Sequence, residues 1–255
     1  MKIILLLIGH FMGDFLFQNN TIAREKQINT TFFLLHCLIY SICLLPFCAL
    51  YGTVGEIALT FVIIAFSHGV IDGIKIAIHR DRSIALYLLD QLLHIIVIFL
   101  IGYQISSPNL LGSYINQFLL QQIPQIPPLK IGAALLCYLI CSTPAGVTIR
   151  FVLSKVHITK KADNAESGDY QEFEVEPADK KLDNGFLIGV LERFCILTLA
   201  ILGQFTAISF VIAAKSLARI KKLEDEDFAE KYLVGTFLSV LIAVGCGCMF
   251  SLLTA

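Results

Sequence analysis

Residues 57–78 read IALTFVIIAFSHGVIDGIKIAI, and the fold turns on how that stretch is read. As a helix rising 1.5 Å per residue it is long enough to cross a hydrocarbon layer of about 30 Å. Its only ionisable groups are His68, Asp72 and Lys75. Groups of that kind are costly inside a membrane, so each is a candidate for function. His68 and Asp72 are four residues apart, which puts both side chains on one helical face. Comparable apolar segments lie at Ile3–Phe17, Thr31–Tyr51, Ile84–Tyr103, Ile131–Leu153, Phe186–Ala213 and Tyr232–Leu253. The first is short and is expected to be tilted or sheltered. The chain is 56% hydrophobic and 15% charged, against roughly 45–50% and 25% for a soluble domain. This excludes a disordered chain, a disulfide-rich secreted module and an ordinary soluble enzyme. The expected architecture is an all-α, polytopic transmembrane bundle of about seven spans set in a lipid bilayer.

The remaining composition narrows the function classes. A net charge of −1 does not fit a nucleic-acid binder, which would carry a basic stripe. The eight cysteines all lie in apolar stretches without the spacing of a zinc ribbon, and read as buried packing residues. The Met1-Lys2 start resembles a signal peptide, but His10 and Asp14 interrupt the apolar run, so a retained first helix is expected. Four regions follow: a four-helix core with the His/Asp motifs (1–105), an uncharged loop plus a fifth span (106–154), a hydrophilic linker (155–185) and a two-span tail (186–255). The Gln104–Leu129 stretch, with Pro108, Pro124, Pro127 and Pro128, reads as an extramembrane loop.

Basic residues favour the cytoplasmic side. Arg24 and Lys26 follow the first segment, and Arg80 and Arg82 the third, so these loops are placed inside and the N-terminus outside. The tail conflicts with this rule. Lys155–Asn184 and Lys215–Lys231 are both lysine-rich, yet one crossing between them puts them on opposite sides. Either Phe186–Ala213 is not a simple crossing, or part of Arg219–Asp227 is interfacial.

The polar residues of the front half form an ordered set. His10 and Asp14, His68 and Asp72, and Asp90 and His94 are pairs four apart on three segments, and His36 lies on a fourth. Measured from the segment ends, all seven fall within one layer roughly 10–15 Å deep. Histidine with carboxylate is the ligand mixture of zinc, manganese or iron sites. Seven ligands suit either two divalent metals or one metal with a second ring of orienting carboxylates. His10, Asp14, His36, His68, Asp72, Asp90 and His94 are therefore the candidate metal ligands. Asp14, Asp72 and Asp90 are candidates for general-base work, with Lys75 facing an anionic substrate. The blander readings are a hydrogen-bonding His36, a snorkelling Lys75, and Gln18 and Gln91 as interhelical glue. In the tail, Glu192 and Arg193 read as a structural ion pair and Gly185-x3-Gly189 as a close-packing motif. Lys215 and Arg219 touch lipid phosphate or mark the interface. His79 and His157 are given no role.

Read as strings, these residues resemble a known family. The strings are Gly9-His10-Phe11-Met12-Gly13-Asp14-Phe15-Leu16-Phe17-Gln18, Leu35-His36, Ser67-His68-x3-Asp72-x2-Lys75 and Leu89-Asp90-Gln91-x2-His94. The chain resembles the bacterial integral-membrane family catalogued as domain of unknown function 3307 over roughly residues 1–105. Gly189-Val190-Leu191-Glu192-Arg193, Ala213-Ala214-Lys215-Ser216 and Gly235-Thr236 are similar to the C-terminal portion of longer members. The resemblance implies a multi-pass protein of the bacterial inner membrane and supplies no activity. From the residues, the expected function is a metal-dependent hydrolase of a lipid or lipid-linked substrate. The alternatives are a proton- or metal-coupled transporter and a non-catalytic membrane subunit. The oligomeric state is left open.

Overall fold

The computed structural model describes residues 1–78, 83–105, 108–163 and 184–255. Among them every extended element is a helix, and one isolated bridge joins Tyr51 to Pro108. Five helices are long and apolar enough to cross a membrane: Thr30–Cys48, Val54–Ile78, Ile84–Gln104, Pro128–Ser154 and Phe228–Thr254. By length and composition they point to a membrane protein. Arg80 and Arg82, used above for orientation, and His79 lie outside the described residues, as do positions 164–183 of the expected linker. The chain divides into two compact units, Met1–Leu139 with Leu253–Ala255, and Ile140–Leu252.

In the first unit, α1 (Lys2–Phe11) runs into a π-helical turn, Met12–Leu16. A short α2 (Asn20–Glu25) leads to α3 (Thr30–Cys48), α4 (Val54–Ile78), α5 (Ile84–Gln104), α6 (Leu110–Gln122) and α7 (Pro128–Cys141). Helices α1, α3, α4 and α5 pack in a ring, each against the next and α5 back against α1. Their burial explains why. On α3 the buried positions are His36, Tyr40, Leu44 and Cys48; on α4, Thr60, Ile64, His68 and Asp72; on α5, Asp90, His94, Ile98 and Gly102. Each helix thus turns one narrow stripe inward, at steps of four, and the polar residues lie on that stripe. Large apolar side chains such as Leu38, Ile42, Phe66 and Leu100 face outward. Polar inside and apolar outside is the pattern expected when lipid is the solvent. The short α1 is the sheltered helix, with Leu6, Leu7, Ile8, Gly9, His10 and Phe11 all buried.

Two features bring α1 close to α3. A Cβ on Gly9 would sit 2.9 Å from the Phe47 ring, and one on Gly13 would sit 2.9 Å from Tyr40 Cα. Only glycine allows this approach, a small-xxx-small contact of the kind common between membrane helices. The turns are fixed by side chains. Asn19 caps α2, accepting from the Ile22 amide at 2.8 Å, and Asn29 caps α3 through the Thr31 amide at 2.9 Å. Thr53 and Glu56 form a reciprocal capping box at the start of α4.

The stretch read as a loop contains the helix α6. Its prolines flank the helix instead of interrupting it, and Asn109 caps it through the Gly112 amide at 3.0 Å. The Asn109 amide also donates to the Ala49 carbonyl at 2.8 Å, tying α6 to the α3–α4 turn. That turn lies at the opposite end of the bundle from the His/Asp residues.

The second unit contains α8 (Thr143–Asp163), α9 (Asn184–Ile201), α10 (Phe205–Ala218) and α11 (Glu226–Thr254), with a 3-10 turn at Ile220–Lys222. Here the structure takes the first of the two alternatives left open for the tail. Phe186–Ala213 is not a single span, because Gly203, at φ +70°, ends α9. Gln204 N donates to Leu199 O and Gly203 N to Ala200 O, the paired bonds of a Schellman motif that requires a left-handed residue. Glu192, early in α9, then meets Lys215, late in α10, so the two helices form an antiparallel hairpin. The start of α9 and the end of α10 therefore lie at the same end of the hairpin.

The expected Glu192–Arg193 pair is corrected, because neighbours on a helix point apart and each finds another partner. Arg193, 3% exposed, donates to the Cys141 and Ser142 carbonyls at 2.6 and 3.1 Å. Arg193→Met is expected to remove both of these charge-assisted bonds and to destabilise the protein by about 2–4 kcal/mol. A thermal melt of the purified variant measures this.

Candidate metal centre

The inward stripes set the layers of the site. Stepping by four along α3, α4 and α5 places His36, Asp72 and Asp90 in an outer layer and Tyr40, His68 and His94 one turn deeper. On α1, His10 belongs to the deeper layer. Asp14 reaches the outer layer from the π turn, whose bond from Phe17 N to Met12 O spans five residues. π turns often occur at functional sites because they re-aim a side chain without ending the helix. Here His10 and Asp14 meet opposite ends of the Gln91 amide. His10 lies 3.3 Å from Tyr40 OH and 3.4 Å from Gln91 Oε1, whereas Asp14 accepts from Gln91 Nε2 at 3.0 Å.

The seven candidate ligands come together, and all are buried. Ligand atoms of Asp14, His36, His68 and Asp72 lie within 4.8 Å of one another, and so do those of Asp72, Asp90 and His94. Asp72 belongs to both groups. His36 Nε2 is 3.0 Å from His68 Nε2, 3.2 Å from Asp72 Oδ2 and 3.5 Å from Asp14 Oδ1. A tetrahedral ion with bonds of about 2.1 Å separates its ligands by about 3.4 Å. The three distances from His36 lie close to that value, and His68 Nε2 to Asp72 Oδ2 is wider at 4.0 Å. His94 Nε2 stands 3.6 Å from both Asp72 Oδ1 and Asp90 Oδ1. His10 is in neither group and touches the cluster through Gln91 and through its ring, 5.2 Å from that of His94.

Two lysines close the outer side. Lys26 Nζ is 2.6 Å from Asp72 Oδ2, and Lys75 Nζ is 2.6 Å from Asp90 Oδ2. Burial by itself would pull the Lys26 pKa down. The Asp72 carboxylate, and then Asp14, outweigh that and hold its proton more firmly than on a free lysine. Three carboxylates against two ammonium groups leave one excess negative charge if the histidines are neutral. One divalent cation reverses that excess, and one anionic ligand then neutralises the site. The donor set and its charge both fit a divalent metal.

Sequence reasoning missed two residues of this cluster. Tyr40 stacks on His68 with ring centroids 3.6 Å apart and planes at 2°, fixing the imidazole in place. Its signal was its position, four residues after His36 on the same stripe. Lys26 read only as a marker of membrane orientation, and no spacing rule ties it to Asp72. Gln91, expected to be glue between helices, donates to both Asp14 and Asp90. It thereby orients two carboxylates. Gln18 is half-buried, and its Oε1 has no partner among the described residues.

Fold and site together define a helical membrane protein with a buried His/Asp cluster able to hold a metal ion. The family model described as "Protein of unknown function (DUF3307)" matches residues 3–120, so this part of the chain is similar to that family. The match includes every residue of the cluster, and residues 121–255 lie outside it. No curated protein and no solved structure matches the chain.

Proposed function

We propose that the protein is a membrane-embedded, metal-dependent hydrolase acting on a lipid or lipid-linked phosphate or ester. Asp14, His36, His68 and Asp72 would hold zinc, manganese or iron, and Asp72, Asp90 and His94 offer a second position beside it. The observation that carries this reading is the convergence of four buried donors from three elements, with ligand atoms within 4.8 Å of one another. A bound divalent ion supplies a polarised water and a Lewis acid. The chain's own residues do the rest. Asp90 Oδ1 is buried without a hydrogen-bond partner among the described residues, so it is the group placed to take a proton from the attacking water. Lys75, its side chain 37% exposed, faces the substrate anion, and His10 with Gln91 fixes the carboxylates.

The depth of the cluster supports a site over a path. Beyond Tyr40 and His10 the bundle is filled by Leu6, Leu44, Ile64 and Ile98, all buried. A transporter needs polar groups at several depths, and this apolar plug interrupts them. The hairpin of α9 and α10 supports a bacterial inner-membrane topology in which both lysine-rich tail segments stay cytoplasmic. In that arrangement the metal layer lies at the cytoplasmic face, level with lipid headgroups.

Elemental analysis of detergent-purified wild type is expected to find about one divalent ion per chain, and His68→Ala is expected to lose it. Wild type that contains no metal and resists reconstitution with zinc, manganese and iron would overturn the reading. Liposome ion flux abolished by Asp14→Ala would replace it with transport.

A further inference from the structure

The second unit contains a small cavity, apolar over most of its wall but edged by a few polar side chains, that the metal site does not use. Glu192 on α9, Lys215 on α10 and Thr236 on α11 each interrupt an apolar helix, and all three line one cavity together with Ser239. Lys215 donates to Glu192 Oε2, so the pair is neutral as a unit. Thr236 and Ser239 are 7% and 5% exposed, and neither hydroxyl has a hydrogen-bond partner among the described residues. Other helical hydroxyls here satisfy themselves on the carbonyl four residues back. Ser41 does so on Cys37, Thr148 on Pro144, Thr198 on Phe194 and Ser216 on Ile212. Thr236 and Ser239 forgo that bond and sit on the cavity wall. Buried hydroxyls left unpaired are costly and rare.

We propose that this cavity is a binding site for one neutral, water-sized ligand, a water molecule held by Thr236 and Ser239 against the Glu192–Lys215 pair. Size is the first argument. The cavity volume is about 10 Å³, close to the least that holds one water, and a buried water needs two to four polar partners. Charge is the second. Lys215 already neutralises Glu192, so a cation of the same size would leave an uncompensated positive charge in apolar surroundings, whereas water leaves none. The bound water ties α11 to the α9–α10 hairpin through hydrogen bonds that the side chains do not make directly.

The sign of a stability change tests this. Thr236→Val and Ser239→Ala remove one hydroxyl each from the full-length protein in detergent. If the hydroxyls hold a water, each variant melts about 2–4 °C below wild type. If the cavity is dry, each substitution removes an unpaired polar group, and Tm rises or stays level, which overturns the proposal. Thr236→Ser keeps the hydroxyl and loses a methyl. It is expected to melt above Thr236→Val, and the reverse order would show that packing alone is read. Wild type melted in sodium chloride and in choline chloride at equal ionic strength is expected to give one Tm. A sodium-specific rise that both variants abolish would assign the cavity to a cation instead.

Discussion

Asp72→Ala is expected to abolish divalent-metal binding altogether, with affinity lowered by more than about 100-fold. Asp72 is the one carboxylate within ligand distance of both groups, beside His36 and His68 on one side and beside His94 and Asp90 on the other. Removing it leaves either group with too few donors for a closed site. Asp90→Ala, by contrast, leaves Asp14, His36, His68 and Asp72 intact and is expected to retain one ion while losing hydrolysis. Metal stoichiometry measured on both variants separates the two outcomes. Asp72→Ala also strands the Lys26 ammonium, so Asp72→Asn, which keeps the volume and an acceptor oxygen, serves as the control for folding. Equal metal content in Asp72→Ala and wild type would remove Asp72 from the ligand set.

Lys26→Met is expected to destabilise the metal-free protein and to do much less harm to the metal-loaded one. The Lys26–Asp72 pair is nearly sealed, with side chains 11% and 2% exposed. Breaking a buried pair from one side costs about 3–5 kcal/mol, because the remaining charge has lost its partner. For a chain of this size that is a fall in Tm of roughly 6–20 °C. A divalent ion on Asp72 supplies the missing positive charge, so the metal-induced rise in Tm should be larger in the variant than in wild type. Thermal melts with chelator and with zinc or manganese measure the difference. An identical fall under both conditions would mean that lysine and metal do not share the carboxylate.

Much of the site was legible because a membrane core inverts the usual rule. On α4 and α5 nearly every residue is apolar, so His68, Asp72, Asp90 and His94 stand out, and their spacing of four already places them on one face. The structure buries those residues on inward stripes. What the sequence did not reveal has physical causes as well. Lys26 acts across 46 positions of chain, a contact that only the packing of α2 on α3 creates. The break at Gly203 lies inside a continuous apolar run, where composition is uniform and only one backbone dihedral marks the turn. Arg193 looked like the partner of Glu192 because adjacency in sequence was the only available clue. Proline-flanked α6 looked like a loop because prolines that bound a helix and prolines that break one have the same composition.

The π turn at Met12–Leu16 makes the first helix a matter of counting. It uses one residue more than an α-helix would, and each residue carries about 100° of rotation. Deleting Met12 or Gly13 would leave the hydropathy almost unchanged and let the helix run on regularly. The π turn is what absorbs the extra residue, so the helix on either side would keep its facing, and Asp14, inside the turn, would lose the aim that the turn gives it. In this segment substitutions that keep polarity are mild, whereas a single insertion or deletion is severe, so the number of residues is itself part of the site.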